Sequence, residues 1–283
     1  MKTSRLPVTA LSVVAALGSA GCGTGVTSSA ASTAAAPAPS RFTYQPFSNS
    51  YEIHTHTLQE QEFGGQVNTV NIGIRWWVTT TADGSATPWP LTIRVDSTPE
   101  VTGAAPGLSN ADLEQATGAV FTGTLSPEGN VADFQSGDSA SVFLQQQARS
   151  FQRFFPRIPV GGVSPGQTWT DTVDVQTGSG GLDIQVETIT ESSASAWTEH
   201  HGMRALEVKS VSNYTLVGAG SQGGTEIDLD GTGTSYQTAY LGADGRFLGR
   251  TAVDTTNMTA TVAAMGAMIP ILQVTVDTIA AVQ

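Results

Sequence analysis

Short runs that alternate apolar and polar residues with a period of two recur along most of this chain, and they limit its fold more than any other feature. In QVNTVNIGIRWWVTTT, Val70, Ile72, Ile74, Trp76 and Val78 alternate with Asn71, Gly73, Arg75 and Trp77. LTIRVDS repeats the pattern with Leu91, Ile93 and Val95, and LDIQVETIT with Leu182, Ile184 and Val186. ALEVKSVSNYTLV places Leu206, Val208, Tyr214 and Leu216 inward, and ILQVTVDTI takes Leu272, Val274 and Val276 as its apolar set. Asp83-Gly84 and Asp244-Gly245 mark turns between such runs. A polar residue at every second position leaves one face of a sheet in water, which suits antiparallel strands and not a parallel α/β core.

Two segments break the period. LSNADLEQATG offers Ser109 as an N-cap, Asp112 three residues on and Gly118 as a stop. DSASVFLQQQARSFQRFFP reads as a longer helix over 139–155, with Phe143, Phe151, Phe154 and Phe155 on a broad apolar side and Pro156 ending it. The fold class expected is mainly β. It is a strongly curved antiparallel sheet, an open or half barrel, with one or two helices packed on its concave side. No catalytic motif stands out: GAGSQG, for example, has Ala219 where a nucleophile elbow needs Gly. The expectation is therefore a non-enzymatic protein with no cofactor.

The N-terminus gives an address. Lys2 and Arg5 precede an apolar run from Leu6 to Leu17, too short to span a bilayer. Gly18-Ser19-Ala20-Gly21 follow, then Cys22, the only cysteine of 283 residues. This order resembles the lipobox of bacterial lipoproteins, although Ser19 stands where that family prefers Leu. The resemblance implies a signal peptide over 1–21 and a lipidated Cys22 as the new N-terminus, carrying palmitate or a similar chain. Residues 22–41 then read as the lipid site and a flexible linker, and 42–283 as one β-rich domain. A single cysteine excludes an intrachain disulfide. Loss of residues 1–21 would remove two of the 12 basic residues and none of the 24 acidic ones. So acidic a chain lacks the basic footprint of a nucleic-acid partner.

Further on, Pro165, Gly166, Thr168 and Trp169 in VSPGQTWTDTVDV resemble a pattern of uncharacterised bacterial lipoproteins whose β domains are similar to the lipoprotein-carrier fold. That resemblance implies a concave apolar groove, for which the sequence offers Phe143, Phe151, Phe154 and Phe155, the first and last as groove wall. The leading expectation is an envelope lipoprotein, facing the periplasm or cell surface, that binds a hydrophobic ligand or an envelope partner. One alternative is a structural or interaction lipoprotein with no ligand. Another is a metal-binding protein: in YEIHTHTLQEQEF, Glu52, His54 and His56 fall on one strand face, where two imidazoles and a carboxylate can share an ion. EIDLDGTGTS also lines up Glu226, Asp228 and Asp230, but Ile227 and Leu229 interleave as in a strand.

Overall fold

The computed structural model describes residues 39–103, 108–137, 142–179, 182–222 and 224–282. The described strands are β1 (Phe47–Phe63), β2 (Gln66–Ala82), β3 (Trp89–Val95), β4 (Glu100–Gly103), β5 (Val120–Leu125) and β6 (Val131–Ser136), then β7 (Thr168–Ser179), β8 (Leu182–His200), β9 (Met203–Gln222), β10 (Thr225–Gly242), β11 (Phe247–Val262) and β12 (Ala267–Val282). All join one antiparallel sheet in the order β6-β5-β3-β2-β1-β12-β11-β10-β9-β8-β7, with β4 added beside β2. The chain on both sides of Pro156–Pro165 supplies strands to it. The β1–β2 turn is made by Gly64 and Gly65, both at positive φ, and the β8–β9 turn by His201 and Gly202. The order ends at β6 and β7, so the sheet is open rather than a closed barrel.

Curvature follows from what the two edges share. Phe134 of β6 is buried in the same aromatic cluster against which Trp169 of β7 packs, at the opposite edge. Between them, residues from ten strands and the helix α2 (Val142–Phe151) meet in that one cluster. A flat sheet could not bring its edges to one helix, so the expected curved sheet with a helix on the concave side is what forms. The short helix α1 (Asn110–Ala116) starts as its sequence says: Ser109 and Asp112 make a reciprocal capping box.

Two expectations are corrected. The second helix ends at Phe151, not at residue 155. Spaced i, i+3 and i+4, Phe151, Phe154 and Phe155 would share one face of a continued helix. Instead Arg153 and Phe154 donate backbone N–H groups three residues back, the chain turns, and both rings enter the core. On β12 the apolar set faces the other way. Leu272 is 37% exposed, whereas Gln273, Thr275 and Asp277 are buried at 0, 0 and 4%. The reason lies in pairing. Ile279 sits opposite Ile53 of β1 and must face inward with it, which sends Leu272, Val274 and Val276 outward.

Candidate functional site

The four phenylalanines lie inside the fold. Phe154 packs edge-on against Tyr51, Phe151, Phe155 and Phe247, with ring centroids 4.9–6.2 Å apart. Phe151, Phe154 and Phe155 are only 5, 2 and 3% exposed. Phe143 is half-buried and stacks on Trp76. Around them Tyr51 donates to the Phe247 carbonyl at 2.7 Å and Tyr44 to that of Pro156 at 3.0 Å, so the buried hydroxyls are satisfied. Phe155 is thus core rather than groove wall.

Glu52, His54 and His56 do share the outer face of β1, as their spacing says. Glu52, however, is held by Arg75 of β2, which also reaches Glu100 at 3.6 Å and lies over the Trp77 ring. Among the described residues no three His, Cys, Asp or Glu side chains converge as metal ligands. His200 is taken up elsewhere: it stacks on Tyr240 at 3.7 Å, and burial, then the neighbouring His201, push its pKa down to about 4. Cys22 lies outside the described residues.

Beyond the aromatic cluster the inward face becomes polar for three successive cross-strand rows. Thr55, Asp277, Ser210 and Ser192 belong to the first, Thr57, Thr275, Asp254 and Ser212 to the second, Gln59, Gln273, Thr256, Tyr214 and Thr188 to the third. The Tyr214 hydroxyl donates to Asp254 at 2.7 Å, and Thr256 donates to the same carboxylate at 3.1 Å. Burial pushes the Asp254 pKa up, and these two bonds hold it partly back. Asp277 accepts from Thr55 at 2.9 Å and from Arg250 at 3.1 Å. Past these rows a second apolar cluster, including Leu216, Leu229, Met258 and Ile271, fills the inner side toward the hairpin tips.

A shallow concavity lies on the outer face, above β8 to β12. Its origin is in the sequence GTGT. Gly231 and Gly233 are strand glycines whose missing Cβ atoms would point inward. A Cβ at Gly233 would meet the Tyr214 ring at 2.1 Å, and one at Gly231 the Met258 Cβ at 2.7 Å. β10 therefore lies close over Tyr214 and Met258, and the outer surface above it is hollowed. One hollow of about 560 Å³ runs from Glu187 and Ile189 on β8 to Thr255 and Asn257 on β11. A second, of about 310 Å³, shares Thr232 and Asn257 and continues to Pro270 and Leu272 on β12.

The Thr and Asn side chains of the lining carry free hydrogen-bonding groups. Thr234 donates to the Asn213 carbonyl oxygen at 3.1 Å, which leaves the Asn213 amide donors turned to solvent. The side chains of Thr215, Thr232, Thr255 and Asn257 bond to no other described residue. Glu187 and Asp230 stand at the rim. In the next row along the sheet, Tyr236 is 60% exposed between Val211 and Val253. Reading each strand alone missed this hollow. The signal available was the pair of alternate glycines inside a strand pattern.

No protein family and no curated protein matches the chain. Among solved structures, Pseudomonas aeruginosa OccK2 (OpdF) is similar at 8% identity and a TM-score of 0.29, over 83% of this chain and 98% of that one. A mutant of a Rh. blastica porin is similar at 11% identity and a TM-score of 0.25, over 82% and 100%.

Proposed function

We propose that the chain is a lipid-anchored protein of the cell envelope, held at the membrane through Cys22, and that its β domain works by surface recognition without catalysis. One observation carries the second half of this reading. The space under the curved sheet that a hydrophobic ligand would need is taken by Phe151, Phe154, Phe155, Tyr51 and Phe247. An acyl chain would have to displace rings whose burial contributes about 1.5–3 kcal/mol each. The open polar hollow on the outer face, in contrast, costs nothing to enter but its water.

The first half rests on the order of residues at the N-terminus. One lipid chain holds a protein at a membrane only marginally, and two hold it stably. Cys22, lipidated on its side chain and acylated on its amine, meets that requirement. The test is metabolic labelling with palmitate followed by membrane fractionation. The wild type is expected to incorporate label and sediment with membranes, and Cys22→Ser to do neither. Equal labelling of the two would remove the anchor from the account.

A further inference from the structure

We infer that the outer hollow over β8 to β12 is a binding site for a neutral glycan chain. The inference rests on the reading that the domain works through its surface, and it names the chemistry that the surface fits.

The floor suits sugars for three reasons. It presents the side chains of Thr232, Thr255 and Asn257, unused by the protein, and the amide donors of Asn213, so donors and acceptors are both on offer. Sugar hydroxyls need both at close spacing, and adjacent strands supply them about 4.8 Å apart. The lining includes no Lys, Arg or His, so it offers no cation to a phosphate or sulfate, and its carboxylates Glu187 and Asp230 repel polyanions while accepting bonds from neutral hydroxyls. Finally, Tyr236 stands in the adjacent row with most of its ring in solvent. An exposed aromatic face beside a polar floor gives the C–H side of a pyranose a surface to stack on.

The shape favours a chain over a single sugar. The two hollows share Thr232 and Asn257 and together cross five strands, about 19 Å at ordinary strand spacing. That length accommodates several consecutive sugar units. An acyl chain is a poorer fit, because Thr and Asn side chains of β9, β10 and β11 separate Ile189 at one end from Pro270 and Leu272 at the other.

The experiment is affinity electrophoresis of the full chain in detergent through gels containing dextran, mannan, xylan or hydroxyethyl cellulose, with heparin as the polyanionic control. At least one neutral polymer is expected to retard the wild type, and heparin is not. Tyr236→Ala, at an exposed site where folding is preserved, is expected to weaken that retardation about tenfold, with Asn257→Ala weakening it as well. Circular dichroism confirms that both variants are folded. Retardation by none of the neutral polymers, by heparin alone, or equally for wild type and both variants would overturn the inference. Those outcomes leave the surface reading standing. Co-purified acyl lipid in the native mass spectrum would instead sink the surface reading, whatever the gels show.

Discussion

The helix end and the tip end of this sheet are built by different means. At the helix end bulk does the work: large aromatic rings from the sheet and from the turn after α2 close over one another and leave no way in. Toward the tips the described residues hold no α-helix, only the single 3-10 turn Ala263–Met265. The ladders are long, the inner face carries three polar rows, and two glycines let β10 sink over Tyr214 and Met258. The difference shows how one sheet can be sealed on one face at one end and hollowed on the other face at the other. On the concave side at one end, rings pack on rings. Where the backbone gives way, a surface is made.

The largest expected effect breaks the sealed end. Phe154→Ala should cost about 3–5 kcal/mol of unfolding free energy, read from the denaturant midpoint, because four ring contacts are lost and the site cannot collapse. Phe143→Ala, half-buried against Trp76, should cost about 1–2 kcal/mol. Equal costs at the two positions would mean that the turn after α2 is not the centre of the core.

At the tip end the test is Gly233→Ala. Its Cβ would overlap the Tyr214 ring, so either the ring or β10 must move. The expected cost is about 1–3 kcal/mol, with loss of glycan retardation in the same protein. A variant as stable as the wild type would show that the glycine pair does not shape the hollow.

Much of this was legible in the sequence, and the failures have physical causes. Period-two alternation located the long strands, and Ser109 with Asp112 located the start of α1, because both signals are local. The end of α2 was not legible, since Phe151, Phe154 and Phe155 keep the spacing of a helical apolar face whether or not the helix continues. The phase of β12 was not legible either. Leu272, Val274 and Val276 alternate with Gln273, Thr275 and Asp277, and only the pairing of Ile279 with Ile53 decides which set goes inside. The hollow needed the same cross-strand knowledge, because the Gly231 and Gly233 pair says that something approaches closely but not that it is Tyr214.

The smallest expected effect concerns the polar rows that separate the two ends. Asp254 has a raised pKa in the folded state, so below that value the folded chain holds a proton that the unfolded chain releases until about pH 3.9. Its contribution to stability therefore improves as pH falls through the folded pKa. His200 acts in the opposite sense: its folded pKa of about 4 lies below the ordinary 6.5, so stability is lost as pH falls from about 6.5 to 4. Comparing wild type with Asp254→Asn cancels His200. The asparagine keeps an acceptor for Tyr214 and Thr256, and the difference in melting temperature is expected to shift in favour of the wild type on acidification. A difference independent of pH would mean that Asp254 is not desolvated.

The account turns on whether the interior is closed, and titration of the full chain with cis-parinaric acid measures that directly. The wild type is expected to give no saturable fluorescence rise. Phe154→Ala opens only a ring-sized cavity between Tyr51, Phe151 and Phe247, too small for an 18-carbon chain, and is expected to give none either. Saturable binding by the wild type that Phe154→Ala weakens would contradict the account, because it would make the aromatic cluster a ligand site and not a seal.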